Sequence, residues 1–229
     1  MEKVLNSQLF PDSMNDVLYW FMSPDEEPWS ALERLAMIMS RFREPNNQEM
    51  LPNWALLSGL DAIDLDDHKG DVDILGKARV FGGKNLRTDP SVIIKGPVYL
   101  GKNVTLRANV VVSGPCYIGD DVKIGHNCRV KYSIIMDRSE LVYGTHLARC
   151  VVGTGVRLDK GVQIADRPYP NTYEGESSSP LYRGAAIGNR CVLEAGVLLG
   201  SGVILMPETY MELGIKRRHV GVYRGRMTD

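Results

Sequence analysis

No stretch of eighteen apolar residues occurs in this chain, so nothing in it reads as a membrane-spanning helix. Its start, MEKVLNSQLFPDSMND, has neither the basic residues nor the apolar stretch of a secretory leader. The four cysteines (Cys116, Cys128, Cys150, Cys191) form no CxxC pair and read as buried thiols from a reducing compartment. Net charge is scarce too: −1 over 229 residues leaves no electrostatic footprint for nucleic acid. These absences describe a cytoplasmic protein with neither a membrane nor a nucleic-acid partner. Its length suits one large domain, or one domain with an appendage.

Residues 1–65 differ in texture from the rest. SPDEEPWSALERLAMIMSRF reads as an amphipathic helix, capped by Ser23 and entered through Pro24, with Asp25, Glu26 and Glu27 at the positive end of its dipole. Leu32, Leu35, Ala36, Met39 and Phe42 form its apolar face, and Pro45 stops it.

From about residue 70 a period of six takes over. Ile94, Leu100, Leu106, Val112, Ile118, Ile124, Val130, Met136 and Val142 follow one another in fixed phase. A second apolar lane runs two positions earlier, from Val92 through Val98, Val104, Val110, Cys116, Val122 and Cys128 to Ile134, and fails at Glu140 and His146. After a slip the pattern resumes at Val152, Leu158 and Ile164. The polar stretch DRPYPNTYEGESSSPLYRG interrupts it, and it returns at Ile187, Leu193, Leu199 and Leu205.

Neither a helix nor a flat strand repeats every six residues. A parallel β-helix does: three short strands and their turns close a triangular coil of about eighteen residues, with aliphatic side chains stacked inside. Gly101, Gly119, Gly125, Gly153, Gly188 and Gly200 each follow an inward residue and relieve crowding at a corner. The expected fold is therefore all-β, a left-handed parallel β-helix of hexapeptide repeats over residues 66–210, with a loop at 166–186. An N-terminal α-helical segment (1–65) and a basic C-terminal segment (211–229) are the candidate caps for strand edges at the prism ends.

The pieces KGPVYLG, IGDDVKIG, VKYSII and GAAIGNRCVLEAG give residues 94–205 a family likeness. The stretch resembles the C-terminal hexapeptide domain of sugar-1-phosphate nucleotidyltransferases, a group that includes the bifunctional N-acetylglucosamine-1-phosphate uridylyltransferase. PWSALERLAMI resembles the helix that precedes that domain. The Gly-rich GxGxRLxPLT signature of the nucleotidyltransferase domain is absent, and nucleotidyl transfer is not expected. The resemblance implies acetyl transfer from acetyl-CoA, or another acyl-CoA, to a sugar phosphate or nucleotide sugar. The three flat faces of such a prism, with outward apolar residues left exposed, lead to an expected homotrimer. Aligned without a gap from Ser113 to Asp166, the family's lysine is kept as Lys131. Its arginine, histidine and asparagine positions hold Ser113, Tyr143 and Arg157. Substrate binding is accordingly expected from Lys131, Tyr143, Arg157 and Asp166.

Attack on a thioester needs a base that is neutral at pH 7. A tyrosine, with an ordinary pKa near 10, is poorly suited, and a histidine near 6.5 is well suited. His146, three residues beyond Tyr143 and at a failure of the inner lane, is the expected catalytic base. The loop adds Arg183 as a substrate contact, with Arg167, Tyr169, Tyr173 and Tyr182 beside it. His126 should point outward. The basic stretch IKRRHVGVYRGR (Lys216, Arg217, Arg218, Arg224, Arg226) suits the phosphates of CoA or a sugar nucleotide. The four histidines, His68, His126, His146 and His219, lack metal-ligand spacing, and no metal is expected. A second reading keeps the fold but not the chemistry: a catalytically lapsed β-helix that binds a sugar nucleotide or serves in assembly.

Overall fold

The computed structural model describes residues 3–11, 18, 21–40, 73–75, 80–82, 85–164, 183–217 and 221–228. Its strands form three parallel sheets of eight, and each strand pairs with the equivalent strand one rung away. The result is a left-handed β-helix with few helical residues. One sheet runs from Asp73–Leu75 to Lys216–Arg217 and is here named the open face. The next, from Val80–Gly82 to Gly221–Tyr223, is the covered face. The last runs from Arg87–Thr88 to Arg226–Met227 and is the third face.

The hexapeptide rule explains both the inside and the corners. Ile94, Leu100, Leu106, Val112, Ile118, Ile124 and Val130 stack in one apolar core with the expected second lane, including Cys116 and Cys128. Burial pushes the Cys116 thiol up to about 12, as expected of a side chain used as filler. At most corners one residue adopts positive φ, and Asn103, Asn109, Asp121 and Asn127 supply it alongside glycines. Gly119 shows why its neighbours cannot be larger. A Cβ there would lie 2.2 Å from the Asp137 side chain and 2.8 Å from its backbone nitrogen.

The phase after Val130 differs from expectation. Tyr117 pairs with Ile134 and Ile118 with Ile135, so that rung is seventeen residues rather than eighteen. The next is also seventeen, since Ile134 pairs with Val151. The inward residues become Ile135 and Leu141, not Met136 and Val142. Glu140 and His146 do not interrupt the inner lane: both point outward, and the buried positions beside them are Ser139 and Thr145. The lane does falter, one residue earlier than expected. Ser133, Ser139 and Thr145 fill one whole layer with hydroxyls. Each is satisfied by backbone: Ser133 Oγ donates to the Lys131 carbonyl at 2.8 Å, Ser139 Oγ to that of Gly153 at 2.7 Å, and Thr145 Oγ1 to that of Val142 at 2.9 Å.

The helix starts at Pro28, not Pro24, and runs Pro28–Ser40. Ser23 accepts a turn bond from Glu26 N instead of capping the helix. Proline at the first helical position is retained, but it is the second proline that fills it. Ala36 is exposed, and Ala31, Leu35 and Met39 form the buried stripe; Phe42 lies outside the described residues.

The described part of the segment, within residues 3–40, does not cap an end of the prism. It lies along the covered face, where Leu9, Phe10, Phe21, Met22, Trp29 and Leu35 pack on Tyr99, Tyr117, Ile134, Met136, Val151 and Ala186. Phe21 tilts onto Tyr117 with ring centroids 5.3 Å apart, and Tyr117 stacks on Tyr99 at 4.9 Å. Asn189 pins the segment at one edge: its Nδ2 donates to the Pro11 carbonyl at 2.7 Å and its backbone nitrogen to that of Leu9 at 2.9 Å. The C-terminal stretch is no separate tail either. Tyr210–Met211 through Arg226–Met227 add parallel strands to all three sheets.

Candidate functional site

The irregularity of the prism is concentrated at one corner, between the open and covered faces. Elsewhere along this corner three residues separate the inward positions, as Ser113, Gly114 and Pro115 do between Val112 and Cys116. On the next rung only Lys131 and Tyr132 separate Val130 from Ser133. On the rung after that only Ala148 and Arg149 separate Leu147 from Cys150. On the third, the chain leaves after Ile164 and returns at Gly184, whose nitrogen donates to the Arg149 carbonyl at 2.9 Å. Two tight corners and an insertion in the sequence, residues 165–183, thus follow one another. Gly184 is needed for the return, because a Cβ there would lie 2.1 Å from the Ala148 carbonyl oxygen.

Beside this corner the open face carries the expected base. Arg129 pairs in register with His146, and Lys131 with Ala148. All four project outward, because Val130 and Leu147 take the inward positions. His146 and Lys131 are therefore diagonal neighbours, with Cα atoms about 8 Å apart by ordinary strand spacing and rise. The imidazole is exposed, yet the surrounding prism desolvates it, and Arg129 adds a like charge. The two push its pKa below the ordinary histidine value, desolvation more than Arg129. Both effects favour the neutral imidazole. Among the described residues no carboxylate orients it.

The remaining expected site residues are dispersed. Tyr143 stands at the corner between the third and open faces, 56% exposed, one rung above His126. Arg157 lies on the third face, where it pairs with Glu140. Arg183 sits where the insertion rejoins the prism. Asp166, Arg167, Tyr169, Tyr173 and Tyr182 lie outside the described residues, as do His68, Arg218 and His219. Among the described residues, two of the basic C-terminal side chains are engaged locally. Arg217 lies over the Tyr223 ring, and Arg226 pairs with Glu212 at 2.7 Å and lies over Tyr210. Among the described residues no three His, Cys, Asp or Glu side chains gather as a metal site, and no helix is long and apolar enough to cross a membrane.

Sequence reasoning missed Tyr132, Arg149 and Trp29. Lys131 Nζ lies 5.4 Å from the Tyr132 ring centroid, and the Arg149 guanidinium carbon 5.2 Å from it. The Arg183 guanidinium carbon lies 5.6 Å from the Trp29 ring. The available signal was the spacing of five, rather than six, between Val130 and Ile135 and again between Leu147 and Val152.

Comparison with solved structures finds other proteins of low identity. A polysialic acid O-acetyltransferase, OatWY, matches at 16% identity over 69% of this chain and 85% of its own, with a TM-score of 0.39. The UDP-N-acetylglucosamine acyltransferase of Francisella novicida matches at 16% over 64% of this chain and 59% of its own, with a TM-score of 0.29. No curated protein matches the chain. A family model described as the GMPPB C-terminal domain matches residues 94–212, just over half the chain. The protein belongs to the GMPPB C-terminal domain family, the left-handed β-helix region of sugar nucleotidyltransferases.

Proposed function

We propose that the protein is a hexapeptide-repeat acyltransferase that moves an acyl group, acetyl first among the candidates, from acyl-CoA to a phosphorylated or nucleotide-linked sugar. One observation carries the reading. His146, whose surroundings favour the neutral imidazole, and Lys131 project from one flat face on adjacent rungs, beside the corner where the prism departs from its period. A neutral imidazole can take the proton from an attacking amine or hydroxyl. A lysine about 8 Å away can hold an anionic group of the same acceptor. The acyl group passes from the thioester sulfur to the acceptor, and the proton leaves through His146 to the departing thiolate. The working unit in this reading is a homotrimer, with the open face against the neighbouring prism, since closed rings are a common solution for identical chains.

The second reading, a β-helix that binds sugar nucleotides without chemistry, is favoured by Tyr143 and Arg157 at the positions of the family's histidine and asparagine. Arg157 is already engaged by Glu140. A melting-temperature screen with acyl-CoAs and sugar nucleotides, followed by transfer assays on the hits, separates the two, because a ligand that binds only the folded state raises the melting temperature. Binding of an acyl-CoA with transfer abolished in His146→Ala supports catalysis. Sugar-nucleotide binding with no acyl-CoA binding at any concentration supports the second reading. Light scattering at three chain masses is expected, and a concentration-independent monomer would remove the inter-subunit site.

A further inference from the structure

We propose that the corner formed by Lys131, Tyr132, Arg149, Arg183 and Trp29 is a binding site for a diphosphate group, the linkage shared by nucleotide sugars and CoA. The inference deepens the reading above by giving its ligand an anchor beside His146.

The three cations stand on successive rungs of one corner. Lys131 is in register with Ala148, Arg149 N donates to the Lys131 carbonyl, and Gly184, next to Arg183, donates to the Arg149 carbonyl. The rungs rise by roughly 5 Å each, so the three backbone stations stack along the corner. Among the described residues neither Lys131 nor Arg183 has a carboxylate partner. An elongated anion laid along this corner can meet cations from successive rungs.

The aromatic rings set the geometry. The Tyr132 ring lies 5.4 Å from Lys131 Nζ and 5.2 Å from the Arg149 guanidinium carbon, and the Trp29 ring lies 5.6 Å from the Arg183 guanidinium carbon. A guanidinium held by a ring keeps its planar N–H fork fixed for an oxyanion. Arg183 Nε is buried and has no hydrogen-bond partner among the described residues, which leaves a donor for a ligand oxygen. A single phosphate presents one compact cluster of oxygens and reaches part of the corner. Two linked phosphates present oxygens along it. Trp29 belongs to the N-terminal segment, so the covered face completes a site that opens beside the open one.

The test is titration calorimetry on the full chain with inorganic pyrophosphate, inorganic phosphate, UDP and CoA. Pyrophosphate should bind at least about tenfold more tightly than phosphate, with affinity falling as salt rises. Arg183→Gln and Arg149→Gln should each weaken pyrophosphate by about tenfold or more, the scale of a lost charge-assisted hydrogen bond. Arg183→Lys should recover only part of the loss, because it keeps the charge without the fork. Lys123→Gln, exposed on the third face, should change nothing. Unchanged melting temperatures establish that the variants fold. UDP binding without CoA identifies the nucleotide-sugar source, and CoA without UDP the acyl donor. Binding of both supports the shared linkage. Pyrophosphate no tighter than phosphate, or Arg183→Gln binding like the parent, overturns the site. Intact diphosphate binding with no acyl transfer would sink the acyltransferase reading alone.

Discussion

On the covered face the outward positions include Tyr99, Tyr117, Ile134, Met136, Val151 and Ala186, and all of these are buried under the N-terminal segment. On the open face the corresponding positions include Lys95, Arg129, Lys131, His146 and Gln163, and all of these are exposed. The two faces share the same inward aliphatics and the same parallel hydrogen bonding. They differ only in the alternate residues of each strand. One set of alternates buries apolar surface against the chain's own N-terminus and contributes stability. The other is left uncovered by the chain itself and leaves charge and a titratable base available for chemistry. A prism needs every inward residue for folding, so its outward residues are where its faces can specialise.

Breaking the covered face should cost the most. Phe21→Ala removes a buried ring packed on Tyr117 and should lower the unfolding free energy by about 3–5 kcal/mol, read by chemical denaturation. The acyl-transfer rate of the surviving folded protein should change little. A loss below about 1 kcal/mol would mean that the segment does not hold the face closed.

His146→Ala makes the opposite kind of change. Transfer should fall by about a hundredfold or more, while stability should move by no more than about 0.5 kcal/mol, as for other surface sites. The acid limb of the rate profile should lie below the ordinary histidine value of about 6.5, because desolvation and Arg129 disfavour the imidazolium. Activity is thus present above that limb and lost as pH falls through it. An acid limb above 6.5, or equal loss in His126→Ala, would move the base elsewhere.

Asn189→Ala sharpens the comparison at the boundary. It deletes the amide that donates to Pro11 and accepts from Thr154 N. The expected cost is about 1–3 kcal/mol, the scale of a buried polar group left without its partner. Hydrogen exchange should speed up first in the N-terminal segment, before the prism core. The smallest effect is expected at Glu140→Ala on the third face. It breaks the ion pair with Arg157, but both side chains are more than a third exposed. A change under about 1 kcal/mol, further reduced by salt, is expected in a thermal melt.

The period of six, the identity of most inward residues and the burial of all four cysteines could be read from the chain alone, because a stacked prism repeats the same environment every hexapeptide. The phase beyond Val130 could not. Whether a corner takes two residues or three is decided by how it stacks on the rungs above and below, so Met136 and Val142 looked inward until the register placed Ile135 and Leu141 there. His146 was found as a candidate for a reason that failed, since it never occupied the inner lane, and its real qualification is its diagonal relation to Lys131. Only the tertiary structure laid the N-terminal segment along a face rather than across an end. Its apolar stripe matches a sheet face as well as a prism cap, and helical periodicity alone does not choose between them. The same docking brought Trp29 to Arg183 across more than 150 positions of sequence. No local pattern encodes that contact; it exists because the two surfaces bury each other.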